Sequence, residues 1–321
     1  MSVQDPGGAR ASLLPSRRAC GQILLLALLG LGGCDASPEQ PSKTGTGAQR
    51  IVSLSPGITE SLVALGASSR IVGVSDYCVL PNGLSASRVG SAITPNYEAI
   101  ARLEPDLILA TQVAGTQLDP LARLAPTRSL PWLALSEVLS SLRELGQLLD
   151  RPEAASAMVK RFETTLRGAP SPDAPRVLWV LDWGDDAATT TWFIRDNSLH
   201  GAVLRAAGLR NAVPQPVAQP TLSAEQLLQV DPDVIVQVLS APHLDTVQIA
   251  HAQTRLDQHF ARYAPLRAVI EHRLLVVHHP GAMNLGPGVL DLVDTLRRAL
   301  SPQKAPNPST SASAASAPVS P

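Results

Sequence analysis

Two stretches of the chain have the same predicted order of strands and helices, and each begins with an apolar run rich in β-branched residues. Residues 50–55 (RIVSLS) precede a Pro-Gly turn and predict a buried strand, which a helix over 59–65 follows. Residues 176–181 (RVLWVL) begin 126 positions later and predict a strand again, with a helix over 198–207. A glycine follows each helix and stops it. Strands that alternate with helices in this way predict mainly parallel sheets.

The second half of each stretch repeats more closely. Residues 94–109 (TPNYEAIARLEPDLIL) and 221–236 (TLSAEQLLQVDPDVIV) each predict a helix, a Pro-Asp turn and a strand. In both segments a glutamate stands seven residues before the proline, and these residues, Glu98 and Glu225, are 127 positions apart. The two offsets nearly agree, which indicates two homologous lobes.

Helical periodicity fills the region between the two stretches. Apolar residues recur at helical spacing over 136–149, and a proline opens a second predicted helix over 152–167. A helix of about 16 residues spans roughly 24 Å, enough to join two lobes stiffly. The sequence therefore predicts an α/β protein of two homologous lobes with mainly parallel sheets, residues 50–135 and 175–300. One long α-helix, within the linking segment 136–170, bridges them.

The amino-terminal segment indicates export and lipidation. Several arginines, an apolar run over 23–31 and two glycines before Cys34 are typical of a secretory signal peptide, which we predict over residues 1–33. The apolar run is shorter than the ~20 residues that span a bilayer. The tetrapeptide Leu-Gly-Gly-Cys resembles a bacterial lipobox, in which the cysteine is diacylated and begins the mature protein. The alternative is an ordinary secretory signal in which Cys34 is incidental.

Two segments are too polar to bury a core. Residues 34–49 predict a flexible tether after the lipidated cysteine, and residues 301–321, rich in Ser, Ala and Pro, predict a disordered tail. The net charge of −1 and the lack of a long basic run argue against nucleic acid as a partner. After processing, Cys78 is the one cysteine left besides Cys34. We expect no intrachain disulfide, and Cys78 to be buried as a small apolar residue.

Four segments carry a family resemblance: residues 50–77, 96–111, 223–240 and 260–296. They resemble the periplasmic binding proteins of ABC importers for vitamin B12, ferric siderophores and haem, over about residues 50–300. The resemblance implies two lobes on one backbone helix, no catalytic activity and no intrinsic cofactor. It also implies capture of a cobalamin or ferric siderophore between the lobes. We expect a lipid-anchored monomer on the periplasmic side of the inner membrane, which delivers its ligand to a permease dimer with ATPase subunits.

In that family one glutamate at the tip of each lobe docks on arginines of the permease. Glu98 and Glu225 occupy the matching places in this sequence. Two equivalent carboxylates also suit a permease dimer that offers two equivalent basic sites, because complementary charges set orientation and association rate. The alternative is that both are ordinary exposed glutamates in the first turn of a helix, where the helix dipole favours them.

We expect the ligand to lie at the carboxyl ends of the strands, where the loops of the two lobes face each other. The candidate residues in those loops are Ser55, Tyr77, Gln112, Trp183, Trp192 and His279. A tryptophan there can pack on a flat ligand, and the alternative is core or surface packing. The family's vitamin B12 binders have tryptophans in two loops where this chain has Ala92 and Gln219. Ligand identity therefore stays open among corrinoids, ferric siderophores and related chelates.

Three other functions are weighed against this prediction. Six of the seven histidines follow residue 240, but residues 50–199 contain none, whereas zinc and manganese receptors draw ligands from both lobes. We therefore assign no metal ligands. A hydrolytic enzyme lacks support, because the sequence has no G-x-S-x-G, P-loop, G-x-G-x-x-G or H-E-x-x-H motif. A lipoprotein that senses a ligand or scaffolds other proteins without transport is the remaining alternative.

Overall fold

Two β-sheets organise the part of the chain that the computed structural model describes: residues 47–112, 118–183, 190–217 and 219–300. The described residues belong to one compact unit. The predicted signal peptide, Cys34, most of the predicted tether and the predicted tail lie outside the described residues.

The first lobe is built on a five-stranded sheet. Its strands are β1 (Ile51–Ser53), β2 (Ile71–Val74), β3 (Ser87–Arg88), β4 (Leu107–Thr111) and β5 (Thr127–Leu130). Its helices are α1 (Pro56–Ala64), α2 (Tyr97–Arg102) and α3 (Leu118–Ala122). The strand order is β3-β2-β1-β4-β5 and the pairings are parallel, as the alternation of strands and helices predicts.

Two helices of 14 residues connect the sheets, α4 (Leu135–Leu148) and α5 (Pro152–Thr165). Helix α5 is the predicted long helix, and it ends two residues before the predicted boundary at 167. Its apolar face buries Met158 and Phe162 in a cluster that contains residues of both sheets. A Cβ atom on Gly146 would lie 2.4 Å from that of Ala155, so a glycine is required where α4 approaches α5.

The second lobe repeats the first and adds two antiparallel strands. Its strands are β6 (Arg176–Trp183), β7 (Thr191–Phe193), β8 (Arg210–Asn211), β9 (Thr221–Leu222), β10 (Val234–Leu239) and β11 (Leu274–His278). Its helices are α6 (Leu199–Ala206), α7 (Ala224–Val230), α8 (Thr246–Phe260), α9 (Arg267–Ile270) and α10 (Leu292–Leu300).

The pairing of these strands follows the pairing in the first sheet. In the first sheet β1 pairs in parallel with β2 and β4, and β4 pairs in parallel with β5. In the second sheet β6 takes the place of β1: it pairs in parallel with β8 and β10, and β10 pairs in parallel with β11. Strand β7 pairs antiparallel with the carboxyl half of β6 and with β9. The first sheet is therefore parallel and the second is mixed, with its antiparallel strands at one edge.

The duplication extends to a hydrogen-bonded motif at the amino end of each sheet. The repeated helices α2 and α7 are each followed by a residue of positive φ directly before the Pro-Asp turn, Glu104 at 44° and Asp231 at 40°. The aspartate of that turn accepts the backbone N–H of the arginine that opens the lobe, at 3.0 Å for Arg50 and 2.7 Å for Arg176. Both guanidinium groups donate to carbonyls at the end of the helix, which otherwise lack partners. The two lobes therefore share these hydrogen bonds as well as the predicted order of helices and strands.

The largest apolar cluster joins the lobes rather than filling one of them. It contains Leu62 of α1, Leu142 of α4, Trp179 of β6 and Val203 of α6. Cys78 is buried in the same cluster, as predicted. Separation of the lobes would expose this surface at a cost of about 25 cal/mol per Å² of apolar area. Within the described ranges, no helix has the length and the apolar character needed to cross a membrane.

Candidate functional site

A cavity of about 260 Å³ lies where the carboxyl ends of strands from both lobes meet. Ser55 and Gln112, which follow β1 and β4, line it from the first lobe, and Trp132 follows β5. The loop after β11 supplies Met283–Leu285 from the second lobe. The structure therefore brings two of the predicted candidates together at the place where ligands bind in open α/β sheets.

Hydrogen bonds within the first lobe hold its part of the cavity wall. The Ser53 hydroxyl accepts from Thr59 Oγ1 at 2.8 Å and donates to the Ser55 carbonyl at 3.2 Å, which fixes the turn between β1 and α1. The Gln112 backbone N–H donates to the Leu130 carbonyl at 2.9 Å, one residue beyond β4. Both positions are therefore set by contacts that do not involve the second lobe.

Trp132 was not predicted as a site residue, although it follows a strand at the same edge as Gln112. Its side chain is 4% exposed, and its Nε1 donates to the Leu285 carbonyl at 2.9 Å. A Cβ atom on Gly57 would lie 2.4 Å from the Asn284 carbonyl oxygen, so the first turn of α1 can approach this loop only at a glycine. The first lobe and the loop after β11 are thus in direct contact beside the cavity.

A second cavity, of about 280 Å³, lies on the other side of the same loop. It is lined by Glu60 and Val63 of α1, by residues 79–81 after β2, and by Pro280, Gly281 and Asn284. Asn284 lines both cavities, so the loop after β11 separates them.

The structure places the aromatic candidates differently from the prediction. Trp183, which was predicted to line the ligand site, instead lies in the core of the second lobe. It is 7% exposed, and its ring stacks on His259 with the ring centroids 4.9 Å apart. Trp192, on β7, is 45% exposed, and Tyr77, after β2, is 74% exposed. Neither lines the cavity that contains Ser55, but each lies at the carboxyl edge of its sheet.

His279 follows β11 and lies beside the loop that separates the cavities. Its backbone N–H donates to the Leu239 carbonyl at 3.0 Å, while its Nδ1 is enclosed and has no hydrogen-bond partner among the described residues. Burial lowers the pKa of His279, the Asp291 carboxylate opposes that shift, and His278 adds to it. The lowered pKa favours the neutral imidazole, which can donate or accept a hydrogen bond. The described residues contain no cluster of three or more His, Cys, Asp or Glu side chains arranged for a metal ion.

Glu98 and Glu225 are both exposed in the first turns of α2 and α7. Helix α2 begins after Asn96, whose backbone N–H donates to the Val89 carbonyl at 2.9 Å, beside the carboxyl end of β2. Helix α7 begins after β9, which joins the carboxyl half of β6 through β7. Both glutamates therefore lie at the same edges of the sheets as the cavity loops. The ion pair of Glu98 with Arg102 is fully at the surface and contributes little to stability.

The sequence and the fold are those of a known group of proteins. A family model described as periplasmic binding protein matches residues 51–279. A cobalamin-binding protein of Halobacterium salinarum is 30% identical over 271 residues, which are 78% of this chain and 69% of that protein. A vitamin B12-binding protein of Yersinia pestis is 31% identical over 243 residues, 73% of this chain and 81% of that protein.

Solved structures agree with this match. A periplasmic haem binding protein of Pseudomonas aeruginosa superposes with a TM-score of 0.62 and 26% identity, over 78% of this chain and 92% of that one. The family match begins at β1 and ends after β11, so it includes both sheets, and the cavity residues Met283–Leu285 follow directly beyond it. The resemblance found in the sequence is confirmed, and the chain belongs to the periplasmic binding protein family.

Proposed function

We propose that the protein is the lipid-anchored substrate-binding component of an ABC importer. It captures a metal chelate, a cobalamin or a ferric siderophore, between its lobes and delivers it to a permease dimer. The observation that carries this proposal is the cavity of about 260 Å³ to which strand ends of both lobes contribute. The names of the two relatives favour a cobalamin, and the Pseudomonas protein adds haem as a related chelate.

The exposed aromatic residues support a large, flat ligand. Binding sites for drug-sized ligands enclose about 300–1,000 Å³, so a chelate of that size or larger would extend beyond this cavity. Tyr77 and Trp192 offer one exposed ring on each lobe, at the edges where such a ligand would extend. Rings of this kind bury large areas against a planar partner.

Delivery is supported by Glu98 and Glu225, which hold equivalent places on the two lobes, in the first turns of α2 and α7. We propose that they contact basic sites of the two permease subunits. Cys34 is the proposed anchor on the periplasmic side of the inner membrane, and its replacement by Ser should leave unprocessed precursor without lipid. The family is one of binding proteins, and we propose no catalytic role.

Titration of the full-length protein in detergent with cyanocobalamin, ferrichrome and haemin tests the ligand class by absorption spectroscopy. We expect saturable binding of at least one, and no binding of any would contradict the proposal. Trp192→Ala and Tyr77→Ala should each weaken binding about two- to tenfold. Ile270→Ala is the matched control, because Ile270 is an apolar residue whose exposure of 64% lies between those of Trp192 and Tyr77, and it is on α9, which precedes β11 at the amino end of the second sheet.

A further inference from the structure

One carboxylate of the first lobe reaches into the second lobe. Glu60 lies on α1, and its Oε1 accepts a hydrogen bond from the backbone N–H of Gly288, 228 residues further along the chain. Its Oε2 is enclosed and has no hydrogen-bond partner of normal geometry among the described residues. Enclosure of a carboxyl group is costly, and the hydrogen-bonding groups that favour its charge here, the Gly288 N–H and the Asn284 side chain, both belong to the second lobe.

Two glycines form the space that this carboxyl group fills. A Cβ atom on Gly286 would lie 2.3 Å from Glu60 Oε2, and a Cβ atom on Gly288 would lie 2.5 Å from Oε1. Gly281, earlier in the same loop, differs, because its Cβ atom would have no neighbour nearer than 3.9 Å. The close fit is therefore confined to the part of the loop that holds Glu60.

The same loop forms the second-lobe wall of the candidate ligand cavity. Its Ala282 carbonyl lies 2.6 Å from Nε2 of the buried His200, and its Leu285 carbonyl accepts from Trp132 at 2.9 Å. Asn284 and Leu285, which lie between Ala282 and Gly288 in the chain, line the cavity. Glu60 supplies the contact at the carboxyl end of this loop.

We propose that Glu60 is a positioning residue for the ligand site: it fastens residues 282–288 to the first lobe and so sets the second-lobe wall of the cavity before ligand arrives. The inference rests on the proposed function in so far as that cavity holds the ligand. A wall that is set in advance loses less conformational freedom on binding, so the contact contributes to affinity without touching the ligand.

The first test needs no ligand and uses Trp132 as a reporter of the loop. Glu60→Ala removes the carboxyl group and Gly286→Ala displaces it, so both should expose Trp132 and shift its fluorescence emission to longer wavelength. Glu60→Gln keeps an acceptor for the Gly288 N–H, and Gly281→Ala adds a methyl group where there is room, so neither should shift it. The shift should vanish in a Trp132→Phe background. Wild-type emission from Glu60→Ala would overturn the proposal.

The second test is the titration of the same variants with cyanocobalamin, or with haemin if cyanocobalamin does not bind. Glu60→Ala and Gly286→Ala should weaken binding about tenfold, with Glu60→Gln and Gly281→Ala within about twofold of wild type. A shifted emission with unchanged affinity would make Glu60 merely structural and overturn its positioning role. If wild type binds neither probe, ferrichrome is titrated; if that also fails to bind, the proposed ligand class fails, and the emission shift still decides whether Glu60 holds the loop. If Glu60→Ala does not fold, the two glycine variants give the same comparison.

Discussion

At the scale of a single residue, the Glu60 carboxyl group makes the stability of the folded protein depend on pH. Burial raises its pKa above the ordinary value of 4.5, and the charge of Asp291 adds to this increase. The Gly288 N–H, the Asn284 side chain and Arg161 act in the opposite direction, but the net shift of the pKa is upward. A group whose pKa is higher in the folded state binds its proton more tightly when folded. Its contribution to stability is therefore full below pH 4.5 and is lost as the pH rises through the folded pKa.

We predict that Glu60→Gln, which removes the charge and keeps the shape, gains stability relative to wild type as the pH rises. The difference in Tm between variant and wild type should be more positive at pH 7 than at pH 4, at about 2–4 °C for each kcal/mol. Thermal unfolding followed by circular dichroism at the two pH values measures it. A difference that is the same at both, or larger at pH 4, would show that the carboxyl group does not change its proton affinity on folding.

Two residues that line the candidate cavity were predicted from a single rule of sheet topology. Ser55 and Gln112 were identified because the carboxyl ends of parallel strands meet, and the same rule applied to β5 would have found Trp132. Trp183 was misplaced because β6 shifts register between Val180 and Asp182, so its last residue turns to the core face. A shift of this kind has no marker in the residues themselves.

At the scale of elements, the duplicated Pro-Asp turn ties each repeated helix to the strand that opens its lobe. Asp233 accepts the Arg176 N–H at 2.7 Å and Arg267 Nη1 at 2.6 Å. We predict that Asp233→Ala lowers the free energy of unfolding by about 1–3 kcal/mol, because it leaves these donors unpaired. Asp173→Ala is the control: this residue is exposed in a turn, and its replacement should change little. Urea titration measures both, and equal effects would show that the hydrogen bonds of Asp233 do not stabilise the fold.

The glutamates at the starts of α2 and α7 carry the prediction about delivery. Replacement of both Glu98 and Glu225 by Ala should abolish uptake in reconstituted vesicles and leave ligand affinity in solution unchanged. Each single change should give an intermediate defect, and replacement by Arg a more severe one, since like charges oppose association by up to several kcal/mol. High salt should weaken the wild-type association through screening.

A matched control for these variants is Glu153→Ala. Glu153 is also exposed and in the first turn of a helix, α5, but it lies outside the repeat. Its replacement should leave uptake intact. Normal transport by the double variant would mean that Glu98 and Glu225 are solvated helix residues, and lost ligand binding would place them in the pocket.

The repeat of elements was predictable because its signals are local. Glycine stops, N-terminal prolines and Pro-Asp turns set the helices and strands to within a few residues. The antiparallel strand β7 was not predicted, since a strand of three residues between polar segments has no periodicity of its own. The contact of Glu60 with Gly288 joins positions 228 residues apart, and no pattern within either segment indicates it.

At the scale of the whole molecule, the shared apolar cluster and the α4–α5 connection limit movement of the lobes. We predict that the lobes move only slightly on ligand binding, because a helical connection lacks the loop hinges that absorb large changes of dihedral angle. Small-angle X-ray scattering with and without saturating ligand tests this. A large decrease in the radius of gyration on ligand binding would show that the lobes move substantially and would contradict the prediction.

The antiparallel pair of β7 and β9 has a further consequence. Without these strands the two lobes would offer more similar surfaces, and the two orientations of a molecule held between them would differ less in energy. Because only the second lobe carries the antiparallel strands and the ring of Trp192, the two surfaces differ. The proposed ligand would therefore meet unlike surroundings on its two sides and should bind in one preferred orientation.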